Sequence, residues 1–403
     1  MIDHLSALRQ RLEHELPAAI RLRHELHRRP ELSGREAATR DLVLAAMSDC
    51  AGESGGDSSQ ARRIAGTGAV LRIGGPGRPV AVRAELDALA VTEATGVPWA
   101  SQHPDVMHAC GHDVHLAALM ALCRAVHAVG GPAPLLAVLQ PREETYPSGA
   151  RDISESGVLD AESPHAMIAA HVQPALPVGT VACTPGAVNA SSDEFAITIT
   201  GTGGHAAYPH LTRDPVVALA HVVVALQSLV SRGADPMSSV VLSVTTLSAG
   251  AAANVTPEVA EARGTVRAMD TGSRAELLRR IPDVVDLVAR THGCAGRVDI
   301  VAGEPVLHND PGIVRATTPL LRAQGIEVDD TLRSAGSDDF AYYSAKLPSL
   351  MMFVGTGGCG TVERLHSPTF APDDRHVGDV ARALLAGYLA AVDLPPDSAT
   401  SDH

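Results

Sequence analysis

The chain has 403 residues, 45% of them hydrophobic, with 32 basic and 46 acidic side chains and a formal charge of −14. That length exceeds one typical core and predicts two domains, while the acidic balance argues against nucleic acid as a partner. No apolar run is long enough to span a bilayer, the first residues lack the pattern of a secretory signal, and six cysteines (Cys50, Cys110, Cys123, Cys183, Cys294, Cys359) follow no framework spacing. Together these predict a cytoplasmic protein, and an enzyme before a scaffold.

Leu5, Leu8, Leu12 and Leu16 fall at helical spacing and predict an amphipathic helix. Pro17 either interrupts it or starts a second helix running to about Arg29, before Pro30. The charged residues around His24 to Arg29 read as a solvated face. Glu36 to Met47 reads as a helix, and the Gly/Ser-rich Gly52 to Ser59 as a loop. Short apolar runs then alternate with helical patterns, the mark of an α/β domain. Pro79 to Val82, Leu135 to Leu139, Met167 to Ala170 and Leu350 to Val354 read as buried strands. His115 to Val129 carries Leu116, Leu119, Met120, Cys123 and Val126 along one helical face.

The middle of the chain has another rhythm. Glu194 to Thr200 alternates as a half-buried strand, Asp214 to Val230 is a long helix with Pro215 in its first turn, and Val240 to Leu247 and Val259 to Met269 are strands. Arg274 to Thr291 is helical despite Pro282, and Arg297 to Val301 closes a β-α-β-β-α-β series, the split βαβ or ferredoxin-like unit. The α/β pattern resumes near Pro311 and ends in a helix over Val377 to Val392. Asp393 to His403 reads as a fraying tail. The expected division is 1–187, 188–303 and 304–403, with the middle segment an insert in an α/β domain.

Chemistry concentrates in Met107-His108-Ala109-Cys110-Gly111-His112-Asp113-Val114-His115. Thiolate, imidazole and carboxylate are the side chains that hold Zn, Mn, Co or Ni, and Gly111 allows a sharp turn between Cys110 and His112. Cys110 by itself would read as a buried thiol, but its position two before His112 favours a ligand. Glu143-Glu144, His171 and His366 each follow an apolar strand, and ligands gather at the carboxyl edge of open α/β sheets. The pattern predicts a two-metal hydrolase. His4, His14, His221, His292 and His376 read as structural, and His210 as support for a turn. His108 and His115 flank the cluster either as orienting groups or as packing.

These motifs resemble the aminoacylase and N-acyl-amino-acid amidohydrolase metallopeptidase family, in particular its hippurate hydrolase and auxin-conjugate hydrolase branch. The resemblance is carried by Arg23-His24-Glu25-Leu26-His27 with Pro30-Glu31-Leu32-Ser33, Arg83 to Leu89, Met107 to Asp113, Gln140 to Glu144, Ala170-His171-Val172 and Leu176 to Thr180. It continues through Gly203 to His210, Asn254-Val255, Gly264 to Arg267, Asp339-Phe340 and His366-Ser367-Pro368. By that resemblance Cys110, His112, Glu144, His171 and His366 would ligate two divalent ions (Mn, Zn, Co or Ni), with Cys110 bridging, and Glu143 would be the general base. Asp87 and Asp113 would orient imidazoles. The insert would act as a lid and dimerisation domain. In it, His205 would contact the carbonyl oxygen as it gains charge, while Asn254 and Arg267 would bind substrate, the latter through its carboxylate. A homodimer follows from a lid that serves a neighbouring subunit.

The chain departs from the family pattern at Glu85, Leu86 and Ala90, at Thr145 to Gly149 and at Asp338. None removes an expected ligand, but they alter the walls of the site. The implied activity is hydrolysis of N-acyl amino acids, with a dipeptidase or carboxypeptidase on the same scaffold, or a silent binding protein, as alternatives. Trp99, Tyr146, Tyr208 and Phe340 are the aromatics expected near a pocket.

Overall fold

The computed structural model describes residues 2–50, 61–358 and 364–392. The expected loop at Gly52 to Ser59, the tail from Asp393 and Cys359 lie outside them. The chain divides into two compact units. One comprises Met1–Gly186, His308–Leu332 and Tyr342–His403, and the other Ala187–Leu307 and Arg333–Ala341. The second unit therefore takes in a short later segment beyond the expected insert.

The first unit is built on an eight-stranded sheet. Its order is Arg62–Ile64, Gly68–Ile73, Leu135–Gln140, Val80–Glu85, Met167–Pro177, Ser349–Gly357, Thr180–Ala182 and Glu327–Asp329. The four central strands run parallel, and Val80–Glu85 and Leu135–Gln140 are buried along their whole length. Burial on both faces is what makes such strands continuous apolar runs rather than alternating ones. The outer strands Gly68–Ile73 and Thr180–Ala182 pair antiparallel with their inner neighbours. Neither was expected from the sequence.

Helices His112–Val129 and Arg375–Val392 pack on this sheet. Ile2–Arg28 lies against His112–Val129 and Arg375–Val392. The break expected at Pro17 does not occur, and the first helix runs through it. Leu5, Leu8 and Leu12 before the proline and Ala19, Leu22 and Leu26 after it are all buried. Burial contributes about 1.5–3 kcal/mol for each large side chain, which outweighs the roughly 3 kcal/mol cost of an internal proline. Gly387 sets the spacing of the last helix, since a Cβ there would stand 2.6 Å from Ile168 Cγ2.

The expected solvated face around His24 to Arg29 is also partly wrong. Arg23 and His27 are buried, and both hold Asp113, through Arg23 Nε at 3.1 Å and His27 Nδ1 at 3.1 Å. Arg23 also reaches Asp374 at 2.7 Å and lies over the Trp99 ring, 4.6 Å from its centroid. Asp113 thus fixes the first helix to the start of the His112–Val129 helix. It does not orient an expected ligand imidazole.

The second unit is a four-stranded antiparallel sheet, ordered Val240–Ala249, Val259–Ala268, Asp193–Thr200 and Ala295–Ala302. Helices Pro215–Ser231 and Thr271–Thr291 pack on it around Phe195, Ile197, Leu226, Leu242, Val266 and Ile281. Asp214 caps the first of these helices and Pro215 occupies its first position, where the missing N–H costs nothing. In chain order the elements run strand, helix, strand, strand, helix, strand. No helix among the described residues is long and apolar enough to cross a membrane.

Burial alone would push the His27 imidazole down, but Asp113 and Glu93 outweigh it and hold it up at about 9. A value above the ordinary one near 6.5 means the stabilisation is complete below about pH 6.5 and is lost as pH rises through about 9. Raising the pH from about 7 to about 10 should remove about 2–3 kcal/mol of stability from this group. Urea midpoints across that range should fall more steeply for the natural chain than for His27→Gln. Equal slopes would show that His27 carries none of the loss.

Candidate metal centre

The Met107 to Asp113 segment is held in place before any ligand chemistry is considered. Met107 exchanges two backbone hydrogen bonds with Leu89, each 3.0 Å. Gly111 has φ 84°, and a Cβ there would fall 2.6 Å from Val172 Cγ2, so both conformation and space require glycine. The turn sends Cys110 and His112 into the same region from adjacent positions. Ala109 accepts from the His366 N–H at 2.9 Å, which brings the distant Arg364–Phe370 loop to this turn.

The strands deliver the remaining groups. Val80–Glu85 leads to Asp87, and Leu135–Gln140 leads to Glu143 and Glu144. The Met167 strand was expected to end at His171 but continues to Pro177, so His171 sits within it. Cys110 Sγ lies 3.4 Å from His171 Nε2. His366 Nε2 lies 3.3 Å from Glu144 Oε1, and His112 Nε2 lies 3.9 Å from Glu143 Oε2. Ligand atoms of Cys110, Glu144 and His366 fall within 4.8 Å of one another, as do those of His112, Glu143 and Glu144. Glu144 belongs to both groups.

Hydrogen bonds fix how each imidazole faces the cluster. His112 Nδ1 donates to the Asp87 backbone carbonyl at 2.8 Å. His171 Nδ1 donates to the Val172 carbonyl at 2.7 Å. With the proton on Nδ1, both rings turn Nε2 toward the cluster, the tautomer that binds metal. The Asp87 carboxylate accepts from Ser33 Oγ at 2.7 Å and from the Glu144 N–H at 3.0 Å. Asp87 thus orients His112 through its backbone, and its side chain positions Glu144.

Burial, then the charges of Glu144, Glu143 and Glu85, push the Cys110 thiol well up. Burial brings His171 down to about 3, with His115 adding to the effect, so it is neutral. Burial opposes charge on His112, but Glu85, Asp87 and Glu144 hold that ring up. Burial would raise Glu144, yet His366 and His112 keep it low. Carboxylates thus gather beside a buried thiol and two buried imidazoles. His112 Nε2 is buried without a hydrogen bond, an arrangement that costs about 1–3 kcal/mol unless something occupies it. Sulfur, imidazole and carboxylate donors aimed at shared space fit divalent transition ions.

A second cluster, Glu85, His112, His115 and His171, also brings ligand atoms within 4.8 Å of one another. His115 has no nitrogen to spare in it. Its Nδ1 donates to Glu85 at 2.9 Å and its Nε2 accepts from the Val172 N–H at 3.0 Å. The importance of Glu85 was not drawn from the sequence, although the twofold strand period puts it on the same face as Arg83. His108 is buried with neither ring nitrogen hydrogen-bonded, and burial takes it down to about 3.

His205, Asn254 and Arg267 all lie in the second unit. Gly204–His205 pairs with Val255–Thr256, and Asn254 O accepts from the Ala206 N–H at 3.0 Å, so His205 and Asn254 share one turn. His205 Nδ1 accepts from the Ala207 N–H at 3.1 Å, which leaves the ring proton on Nε2. Arg267 donates to Ala335 O at 3.3 Å and to Ser337 Oγ at 3.4 Å, and it borders a cavity of about 720 Å³ that Arg333 and Asp270 also line. Of the aromatics expected at a pocket, Trp99 is stacked on His24 and Phe340 is fully buried. Tyr146 and Tyr208 are exposed.

The family model for peptidase family M20/M25/M40 matches residues 81–386. The chain is 34% identical over 376 residues to a Bacillus subtilis N-acetyldiaminopimelate deacetylase, covering 92% of this chain and 97% of the relative. It is 34% identical over 390 residues to the N-acetyl-L-cysteine deacetylase of the same organism, covering 95% and 90%. Among solved structures, a Bacillus subtilis dinuclear metal binding peptidase of the M20 family superposes with a TM-score of 0.80 at 28% identity, covering 94% of this chain and 98% of that one. The chain belongs to peptidase family M20/M25/M40 and is a hydrolase.

Proposed function

We propose that this hydrolase cleaves the amide bond of N-acyl amino acids, releasing the acyl acid and the free amino acid. The observation that carries the reading is the pair of donor groups that meet at Glu144, with Glu143 beside them. Deacetylases of N-acetyl amino acids at 34% identity over most of both chains support the substrate class. Cys110, His112, Glu144, His171 and His366 would hold two divalent ions, Mn, Zn, Co or Ni, with Cys110 between them. When bound, such a pair lowers the pKa of a water it shares and polarises the scissile carbonyl.

The remaining roles fall to the chain's own side chains. Glu143 takes a proton from the attacking water and delivers it to the leaving nitrogen as the C–N bond breaks. Asp87 holds both the His112 ring and the Glu144 backbone, so it keeps one ligand from each side of the cluster in register. In the second unit, acting as a lid, His205 directs its Nε2 proton to the carbonyl oxygen as that atom gains charge. Asn254 contacts the substrate, and Arg267 grips its free carboxylate.

A homodimer belongs to the same reading. Val224 is 73% exposed on the Pro215–Ser231 helix, with Val216 and Val217 beside it, and Leu247 is 62% exposed on the edge strand Val240–Ala249. An unpaired edge with apolar side chains favours a partner strand. A cytoplasmic setting is part of the proposal, since the five described cysteines are free and buried.

Metal-stripped protein resupplied with Mn, Co, Ni or Zn should release amino acid from an N-acyl-amino-acid panel. Glu143→Gln should lower kcat by about 10²–10⁴ with the metal content intact. Undiminished turnover would rule out Glu143 as the base, and turnover of dipeptides alone would reassign the substrate class. His205→Ala should lower kcat by about 10²–10³ while KM changes little, and an effect confined to KM would make His205 a binding group.

A further inference from the structure

Behind the proposed ligands lies a buried charge relay that the hydrolytic scheme does not use. Arg83 and Glu85 are both fully buried and paired. Arg83 Nε also donates to Gln140 Oε1 at 2.8 Å, which in turn accepts from Tyr343 Oη at 2.9 Å. Glu85 Oε2 accepts from His115 Nδ1 at 2.9 Å, and His115 Nε2 accepts from the Val172 N–H at 3.0 Å. The carbonyl of that same residue accepts from His171 Nδ1. The Val172 residue is thus held at its N–H by His115 and at its C=O by the proposed ligand His171.

We propose that Glu85 and His115 form a positioning pair that sets the aim of His171, by holding Val172 and by packing against the His171 ring, and places a carboxylate behind the metal centre. The inference rests on the metal reading above. Three observations carry it. First, the hydrogen bonds leave His115 only one neutral tautomer, with its proton on Nδ1, because Nε2 is already an acceptor from a backbone N–H. That makes His115 a brace and not a ligand. Second, the His115 ring packs edge-on to His171, with centroids 4.5 Å apart, so moving one ring displaces the other. Third, Glu85 is fixed in a dry interior from both sides, paired with Arg83 and accepting from His115 Nδ1 at 2.9 Å. Groups that hold a ligand imidazole in place from behind are worth about 10–100-fold in metal affinity.

The test is cobalt binding to chelator-stripped protein, followed by calorimetry and by the visible spectrum of the bound ion. Glu85→Gln should weaken cobalt binding by about 10–100-fold and shift the spectrum, while the number of ions bound stays that of the natural chain. His115→Leu leaves the Arg83–Glu85 pair intact, so its core charge stays balanced. It should show the same loss, and it decides the question if Glu85→Gln does not fold. His115→Gln can still donate to Glu85 and accept from Val172, and should recover most of the affinity. Natural affinity and spectrum in both Glu85→Gln and His115→Leu would overturn the pair. So would the complete loss of one ion in Glu85→Gln, which would make Glu85 a ligand. A natural chain that takes up no cobalt or other divalent ion would overturn the metal reading and this inference together.

Discussion

The first unit depends on one electrostatic constraint. Glu85, Asp87 and Glu144 are drawn together with a thiol and two imidazoles at one end of a parallel sheet, largely out of water. Carboxylates so placed repel one another and are expensive to desolvate unless positive charge is provided. Arg83 answers for Glu85, and His366 and His112 partly answer for Glu144. At the same end Cys110, His112, Glu143, Glu144 and His366 face one another. The surrounding fold can be understood as the frame that makes this arrangement tolerable.

That frame is rigid for reasons that can be traced to individual residues. Gly111 can make its turn because it has no Cβ to meet Val172. Glu36 accepts from the Arg142 N–H at 2.9 Å and from the Gly34 N–H at 2.8 Å, which pins the segment leading into Glu143. Asp113, next to His112, is tied to Arg23 and His27 on a different helix. Several of the proposed ligands therefore hang from backbone that hydrogen bonds fix elsewhere. A site that must hold its ligands within a few tenths of an ångström requires such support.

The second unit obeys other rules. Its sheet is antiparallel, with one face covered by two helices, so its strands alternate instead of running continuously apolar. Its chemical groups sit on turns and edges: His205 and Asn254 on one short ribbon, Arg267 on a strand beside an open cavity. The same chain thus divides its labour, with metal-type donors clustered in the first unit and hydrogen-bond donors on turns and a strand in the second.

Much of this was legible from residue order. The buried strands, the β-α-β-β-α-β series and the Cys-Gly-His turn all come from local patterns of polarity and from glycine chemistry, which act over a few residues and leave their period in the sequence. The residues that meet at the cluster could be listed for their chemistry and for a family likeness. What only the tertiary structure decided was which atoms face which. Pro17 did not end its helix, because buried leucines on both sides of it outweigh one lost hydrogen bond. Asp87 serves His112 through its carbonyl, and Asp113 turned away to Arg23 and His27. Glu85, seemingly a variation in a motif, became the anchor of a buried network because its strand lies next to those carrying Gln140 and Val172. Such outcomes depend on contacts between segments far apart in sequence, and no local period records them.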